Sequence, residues 1–214
     1  MSGVALAGLL VEAQNPAVVA SFWSRALGGT ATRMLDGSMR GQGQFPKLLF
    51  YPQAHPKSVK NRVHLDISAA SLDPLLSLGA RVLDEYPTRV TMADVEGNEF
   101  CAFLDPDGLP DPPARVFAVC TDSDRPEELA AWWARLVRAR VGDGADGTPR
   151  WLYGSAGWPD LIWKFVRVAD QREVPNRWRW TVHADTADLL AAGATVPEPG
   201  VLLDPQGNEF SVTE

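Results

Sequence analysis

Apolar and polar positions along the chain follow a pattern that predicts a strand, a helix and then three more strands. Residues 4–11 form a short apolar run typical of a buried strand. After Asn15-Pro16, apolar residues recur every three or four positions as far as Gly28, which predicts an amphipathic helix with Asn15 as its cap. Three short segments between residues 30 and 51 are predicted as strands. The start of the chain therefore predicts one β-α-β-β-β module.

A second module follows, and it begins with a strand in which apolar and polar side chains alternate. Because side chains of a strand point to opposite faces in turn, Val63, Leu65 and Ile67 are predicted to face the core under the helix. His64 and Asp66 are then predicted to face the other, concave side of the sheet. A short helix and three strands, ending near residue 104, complete the module.

Both modules occur again, roughly 110 to 115 residues later. The stretch Asn61-Arg62-Val63-His64 is echoed by Asn176-Arg177-Trp178-Arg179, and Gly97-Asn98-Glu99-Phe100 is echoed by Gly207-Asn208-Glu209-Phe210. A repeat of this length fixes the architecture before any other argument. The third module is predicted from residue 115, with a loop at 142–149, and the fourth from residue 177.

The most proline-rich stretch of the chain separates the two copies of the repeat. Residues 105–113 contain four prolines and one glycine, which is typical of a stiff surface segment. We therefore predict one domain at residues 1–108, a linker at 109–113 and a second, degenerate domain at 114–214. The predicted fold class is α+β, with four β-α-β-β-β modules in tandem.

Composition and charge limit the classes of partner. Of the 214 residues, 45% are hydrophobic and 22% are charged, with a formal net charge of −7. This excess of acidic residues argues against a nucleic acid or an anionic membrane surface as partner. Two cysteines, Cys101 and Cys120, are read as reduced thiols, and the apolar start lacks the features of a signal peptide. We expect a cytoplasmic protein that binds a small molecule, and we leave open whether it forms a homodimer.

The order of these motifs resembles the glyoxalase/bleomycin resistance/dioxygenase family, also called the vicinal oxygen chelate superfamily, in its glyoxalase-like branch. The resemblance rests on Asn15-Pro16, Phe22-Trp23, Lys60-Asn61-Arg62-Val63-His64-Leu65-Asp66, Leu78-Gly79-Ala80 and Gly97-Asn98-Glu99-Phe100-Cys101. It implies strongly curved sheets, each made by two modules around a cavity. It also implies that some members hold a divalent metal there as a Lewis acid, whereas others bind a drug without a metal.

The resemblance places four metal ligands, and this chain matches one of them. His64 stands at the fifth-strand position, but Gly8 stands near the first-strand position and Cys101 at the eighth-strand position. The end of the fourth strand, at 49–52, carries no carboxylate or imidazole. We therefore predict no metal site and no cofactor, although His64 and Cys101 together would suit zinc chemically.

His64 has two further interpretations besides a metal ligand. It is either a hydrogen-bonded histidine of the cavity wall or a general acid/base oriented by Asp66 or Glu99, a role that an imidazole suits near neutral pH. Alternation in the last strand of the module places Glu99 and Cys101 on the same face. The predicted catalytic group is therefore His64, Asp66, Glu99 and Cys101.

The second half of the chain holds seven of the eight tryptophans. Several are expected in the core, but aromatic walls with a few polar groups are also typical of small-molecule pockets. The predicted substrate-binding residues are Trp151, Trp163, Arg179, Thr181 and His183.

Three hypotheses on function follow. The first is a glyoxalase-like enzyme of unassigned activity, a lyase, isomerase or dioxygenase, acting on a small oxygenated metabolite without a complete metal site. The alternative is a metal-free protein that sequesters a small molecule or antibiotic, as a bleomycin resistance protein does. The third is a structural tandem whose second half only completes the fold or an interface.

Overall fold

The computed structural model describes residues 3–43, 46–108, 111–170 and 172–213, and it contains four β-α-β-β-β modules. Part of the predicted linker, residues 109 and 110, lies outside the described residues. The first module comprises β1 (Ala5–Ala13), α1 (Pro16–Ala26), β2 (Thr30–Arg33), β3 (Met39–Gln42) and β4 (Leu48–Pro52). The second comprises β5 (Val63–Ala69), α2 (Asp73–Ser77), β6 (Arg81–Tyr86), β7 (Arg89–Ala93) and β8 (Glu99–Leu104).

The modules of the second half repeat this order. The third comprises β9 (Arg115–Ser123), α3 (Pro126–Val137), β10 (Arg140–Asp143), β11 (Pro149–Tyr153) and β12 (Ile162–Arg167). The fourth comprises β13 (Trp178–His183), α4 (Thr186–Ala191), β14 (Thr195–Glu198), β15 (Val201–Leu203) and β16 (Glu209–Val212). The predicted loop at 142–149 is wrong at both ends, because Gly142 and Asp143 belong to β10 and Pro149 is the first residue of β11.

The four modules form two eight-stranded sheets, and this confirms the predicted α+β fold class. Sheet A has the strand order β14-β15-β16-β13-β1-β4-β3-β2, and sheet B has the order β10-β11-β12-β9-β5-β8-β7-β6. Sheet A therefore joins the first and fourth modules, whereas sheet B joins the second and third. Each sheet is centred on an antiparallel pair, β1 with β13 in sheet A and β5 with β9 in sheet B.

Helices α1 and α3 connect the two sheets through buried tryptophans. Trp23 of α1 packs edge-on against Phe100 of sheet B and Trp178 of sheet A, with ring centroids 5.2 and 5.6 Å apart. Trp133 of α3 packs against Trp163 of sheet B at 5.0 Å and Trp180 of sheet A at 5.4 Å. Aromatic pairs in this geometry add to the free energy gained by burial. The core is therefore one continuous layer between the two sheets.

The turn from Asp94 to Asn98 and its repeat from Asp204 to Asn208 are each held by a buried hydrogen-bond network. Asp94 accepts hydrogen bonds from Trp23 Nε1 at 3.0 Å and from the backbone N–H of Asn98 at 3.0 Å. Asp204 accepts the same bonds from Trp133 Nε1 and Asn208. Burial raises the pKa of Asp94, and the bonds from Asn98, Glu96 and Trp23 oppose that shift. The motif thus joins a turn of one module to the helix of the preceding module.

Within the described residues, no helix is both long enough and apolar enough to cross a membrane.

The exchange of modules predicts how a half chain behaves. Residues 1–108 contain β1 and β5 but lack β13 and β9, their partners at the centre of each sheet. We expect this fragment, expressed alone, to be unfolded or to associate, because two central sheet edges are left unpaired. Circular dichroism and sedimentation would measure this, and adding residues 114–214 should restore the folded signal. A monomeric, cooperatively folded fragment would contradict the expectation, and it would support the predicted division of the chain at 109–113.

Candidate functional site

The face of sheet B that points away from the core, called the helix-free face below, carries the polar side chains that alternation along β5 predicts. Val63, Leu65 and Ile67 of β5 are fully buried in the core between the sheets. Because side chains alternate along a strand, His64 and Asp66 lie on the opposite face. Parallel pairing with β8 brings Cys101 directly beside Asp66. One ligand atom from each of His64, Asp66 and Cys101 lies within 4.8 Å of the others.

Two side chains from the second half of the chain complete this group. Strand β9 places Cys120 opposite His64, and β12 in turn places Lys164 beside Cys120. His64, Asp66, Cys101, Cys120 and Lys164 are called the sheet B cluster below.

The centre of the sheet B cluster is a buried ion pair. Lys164 Nζ donates a hydrogen bond of 2.8 Å to Asp66 Oδ2, and both residues are less than 10% exposed. His64 Nε2 lies 3.7 Å from the other carboxylate oxygen of Asp66. Replacing a buried ion pair by apolar residues is often neutral or stabilising, so such a pair is weak support for a stabilising role.

Three half-buried aromatic rings surround the ammonium group of Lys164. Its Nζ lies 4.7 Å from the ring centroid of Phe117, 4.9 Å from that of Trp151 and 5.6 Å from that of Phe103. These distances are typical of cation–π contacts. Phe103 and Phe117 also contact each other edge-on at 5.1 Å. An ammonium group framed by aromatic rings thus lies at the centre of the helix-free face.

Sheet A provides an internal comparison, because the register of its strands gives the equivalent of each position. Leu49 pairs with Leu10 as Lys164 pairs with Cys120, so Leu49 is the equivalent of Lys164. Thr181 is likewise the equivalent of Asp66. The same fold therefore forms with Leu and Thr in place of the buried ion pair.

The remaining positions differ in the same way. Sheet A has Arg179 in place of His64, Ser211 in place of Cys101 and Leu10 in place of Cys120. The three rings are replaced by Thr213, Ala7 and Arg40. Among the described residues, an ion pair within an aromatic frame occurs at the centre of sheet B, and the equivalent positions of sheet A lack one.

Burial sets the protonation states within the sheet B cluster. Burial lowers the pKa of His64, although the negative charge of Asp66 opposes that shift, so the imidazole is neutral at neutral pH. Burial raises the pKa of Cys101 and raises that of Cys120 well above its ordinary value. Both thiols are therefore protonated at neutral pH. The cluster offers a neutral imidazole as base and an ammonium as donor, but no thiolate.

The divalent metal that the family resemblance implies does not fit this set of donors. His64, Asp66 and Cys101 are close enough to share an ion. However, Lys164 Nζ already occupies one carboxylate oxygen of Asp66, and its positive charge repels a second cation. Zinc binding would also require a thiolate at Cys101, but burial raises the pKa of this thiol and so favours its protonated form.

Glu99 lies at the start of β8 in a position that the second half repeats. Its carboxylate is 2.6 Å from Lys57 Nζ and accepts a 3.1 Å hydrogen bond from the backbone N–H of Asn61. Glu209 pairs with Arg172 and accepts the same bond from Asn176. In the second and fourth modules, this arrangement ties the segment just before the first strand to the last strand. The catalytic role predicted for Glu99 stays a prediction, and its contacts are those of the fold.

The predicted substrate-binding residues are divided between two sheets and the core. Trp151 lies on the helix-free face of sheet B beside Lys164. Trp163 is fully buried in the core, where its Nε1 donates to Thr121 Oγ1 at 3.0 Å. The other three lie on β13 of sheet A. The structure therefore does not bring these five residues into one site.

Those three residues of β13 have partners within sheet A. Arg179 forms a 3.1 Å ion pair with Glu12, and Thr181 Oγ1 donates to the carbonyl of Gly8 at 3.4 Å. His183 is exposed and contacts Thr213. The predicted substrate-binding role of these three residues stays a prediction, and it concerns sheet A and not the sheet B cluster.

A cavity of about 490 Å³ lies elsewhere, between the segments that precede β5 and β13. Several of its charged side chains are paired with each other or with backbone groups, as in the ion pair of Lys60 with Asp122. Arg177, for example, donates to the carbonyls of His55 and Glu12. Paired charges at the junction of two linking segments indicate a structural crevice. We therefore assign the candidate site to the sheet B cluster and not to this cavity.

Lys164, Cys120 and the two phenylalanine rings were missed by sequence reasoning. A signal for Lys164 was present, because it is a single charge within the apolar stretch Leu161-Ile162-Trp163-Lys164-Phe165-Val166. A charge at that place is costly unless it is paired. Its partner could not be identified from the sequence, because the sequence leaves open which modules pair with each other.

The donor set predicts how metals behave. We expect purified protein to bind Zn²⁺ no better than the His64→Ala variant does, because the ammonium of Lys164 repels the ion. Replacing that ammonium by an amide, in Lys164→Gln, should raise zinc affinity. Elemental analysis and calorimetric titration would measure both. About one metal ion per wild-type chain, lost in His64→Ala, would contradict the conclusion that a metal does not fit.

The lowered pKa of His64 predicts a pH dependence of stability. In the unfolded chain His64 takes up a proton near its ordinary pKa of about 6.5, whereas the folded state resists protonation until a lower pH. His64 therefore contributes stability above about pH 6.5 that is lost as the pH falls towards the folded-state pKa. Urea denaturation should show a steeper acid loss of unfolding free energy in the wild type than in His64→Gln. Equal slopes would show that the pKa of His64 does not change on folding.

Comparison with known proteins agrees with this architecture. The chain is similar over 98% of its length to glyoxalase I from Zea mays, with 10% identity, 92% coverage of that chain and a TM-score of 0.68. It is similar over 98% of its length to a putative dioxygenase from Bacillus subtilis, with 12% identity, 84% coverage and a TM-score of 0.66. At these identities the likeness shows the fold alone. No protein with a curated description matches the chain.

A family model described as the glyoxalase-like domain matches the chain twice, at residues 8–103 and 118–213. These two matches span most of the sequence and lie on either side of the proline-rich stretch. The chain therefore belongs to the glyoxalase-like domain family and carries two copies of that domain.

Proposed function

We propose that this protein binds a small oxygenated metabolite on the helix-free face of sheet B, and acts on it there without a divalent metal. The observation that supports the proposal is the sheet B cluster, in which His64, Asp66 and Lys164 meet at the centre of one face. Side chains able to donate and accept protons converge at a site where the fold itself requires none of them, as Leu49 and Thr181 of sheet A demonstrate.

The neutral imidazole of His64 is the candidate base of this site. Burial lowers the pKa of His64, so that its basic form is available at neutral pH. Asp66 Oδ1 lies 3.7 Å from His64 Nε2, and its negative charge would stabilise the imidazolium that forms when His64 takes a proton. This arrangement suits the enzymatic alternative, in which His64 removes or transfers a proton of the bound metabolite.

Sequestration is the second candidate function, and the aromatic frame favours it. Phe103, Phe117 and Trp151 offer apolar surface around a few polar groups, as binding pockets commonly do. In this alternative the ligand is held by the rings and released unchanged. The two functions share one site and differ in whether the ligand is converted.

The location of the site is tested by ligand binding to matched variants. A library of small carbonyl and hydroxy compounds would be titrated into the protein and followed by nuclear magnetic resonance. For compounds that bind, we expect His64→Ala to weaken affinity about tenfold, since it removes a buried polar partner. Arg179→Ala, the equivalent change in sheet A, should leave affinity unchanged. The reverse pattern would move the site to sheet A and contradict the proposal.

The same titrations separate the two functions. A bound compound whose spectrum changes with time to that of a product, at a rate that His64→Gln lowers at least tenfold, identifies an enzyme. A compound that is bound and recovered unchanged identifies a sequestering protein.

A further inference from the structure

The ammonium group of Lys164 has hydrogen-bonding capacity that the protein does not use. A lysine ammonium carries three N–H donors. One of them is satisfied by Asp66 Oδ2 at 2.8 Å. Among the described residues, Asp66 is the one oxygen acceptor in hydrogen-bond contact with Nζ, and three aromatic rings lie within 5.6 Å of it. Donors buried in this way carry a free-energy cost unless an acceptor reaches them.

A donor on the neighbouring side chain of Trp151 is also unsatisfied. Trp151 Nε1 is buried and has no hydrogen-bond partner among the described residues. The Trp151 ring lies 4.9 Å from Lys164 Nζ, and the two residues are directly paired between β11 and β12. Two neighbouring side chains thus present N–H groups without acceptors.

The sheet A comparison shows that the ammonium of Lys164 is not required by the fold. At the position of Lys164 sheet A has Leu49, and at the position of Trp151 it has Arg40. Alanine replaces Phe117 there, as Ala7. The ammonium of Lys164 and the rings that enclose it therefore occur together in sheet B, and are absent together at the equivalent positions of sheet A.

The charge balance selects the kind of acceptor. Asp66 neutralises Lys164, and the neighbouring His64 is neutral, so the local charge of these three groups is close to zero. A carboxylate bound to Lys164 would lie beside the negative charge of Asp66 and would be repelled by it. A carbonyl oxygen accepts the same N–H groups without that repulsion. The flat rings of Phe103, Phe117 and Trp151 complement a flat apolar body.

We propose that Lys164, with Trp151 as second donor, binds the carbonyl oxygen of a small, flat, uncharged ketone or aldehyde, and that its ammonium takes the place of the metal ion for which this site has no suitable donors. The inference rests on the proposed function, because it names the ligand class of the same site. It assigns Lys164 as the group that binds the ligand oxygen, and Phe103 and Phe117 as walls that hold the ligand body.

Three probes with the same aromatic body test the inference: acetophenone carries a carbonyl oxygen, ethylbenzene carries no oxygen and benzoate carries a charged carboxylate. Each would be titrated into the full-length protein while the Trp151 indole resonance is followed in a proton–nitrogen correlation spectrum, assigned with Trp151→Phe. We expect acetophenone to shift this resonance saturably. We expect its affinity to exceed that of ethylbenzene and benzoate by about tenfold or more, the size of effect typical of a hydrogen bond to a charged donor.

Matched variants connect the effect to Lys164. Lys164→Leu alone leaves Asp66 buried without its partner and endangers folding. The double variant Lys164→Leu with Asp66→Thr copies the pair that sheet A carries in the same fold, and is therefore expected to fold. It should lose the preference for acetophenone over ethylbenzene while retaining ethylbenzene binding on the rings. Leu49→Met in sheet A is the control and should leave all affinities unchanged.

The outcomes separate failure of the inference from failure of the proposed function. Acetophenone that binds the folded double variant as tightly as the wild type would overturn the role of Lys164. Benzoate that binds more tightly than acetophenone would overturn the uncharged carbonyl class, as would a Trp151 resonance that none of the probes moves. In each of these cases the proposed function survives if other small molecules still bind at sheet B. Binding that shifts resonances of sheet A alone would contradict the proposed function itself.

Discussion

The antiparallel pairing of β5 with β9 is the constraint on which the candidate site depends. It joins the second module to the third, and so brings a strand of each half of the chain to the centre of sheet B. Lys164 belongs to the third module and Asp66 to the second, so their contact across 98 positions of sequence exists only through this pairing. The pairing of β1 with β13 repeats the constraint in sheet A. Neither half of the chain contains a complete site.

The same constraint explains why helices α1 and α3 each carry a buried tryptophan that contacts both sheets. Each helix has to fill the layer between a sheet of its own module and the sheet of its neighbour. Trp23 and Trp133 do so with the ring and use the indole N–H to fix a turn of the other sheet, through Asp94 and Asp204. The tryptophan and aspartate of each pair are 71 residues apart in both halves, and this equal spacing is a direct consequence of the repeat.

Sequence reasoning succeeded where the controlling interactions were local. Alternation along β5 placed His64 and Asp66 opposite Val63, Leu65 and Ile67, because the side-chain period of a strand does not depend on its partners. The internal repeat predicted the four modules, because it is visible in the sequence itself. The strand β10 is missed in the sequence, since Gly142 and Asp143 have low strand propensity and are held by pairing with β11.

The remainder of the site depended on long-range pairing and could not be derived in that way. Lys164 and Trp163 are neighbours in sequence, so alternation requires that one of them face the core and the other the helix-free face. The sequence predicts that the tryptophan binds the ligand, but its 0% exposure shows that it fills the core, so Lys164 lies on the helix-free face. Phe117 was inaccessible to pattern arguments for another reason. It lies at the bulge between Val116 and Ala118, where the register shifts and simple alternation fails.

The duplicated modules allow the buried ion pair of sheet B to be compared with equivalent positions that lack it. Sheet A fills the equivalent positions with Leu49 and Thr181, and replacement of a buried ion pair by apolar groups is often neutral, or stabilising by about 1 to 4 kcal/mol. An alternative that folds and avoids the desolvation of two charges is therefore available within the same chain. The retention of Lys164 and Asp66 in sheet B then requires a reason other than stability. The unsatisfied donors of Lys164 and Trp151 supply that reason, because they leave the centre of sheet B complementary to an oxygen acceptor that the protein itself does not provide.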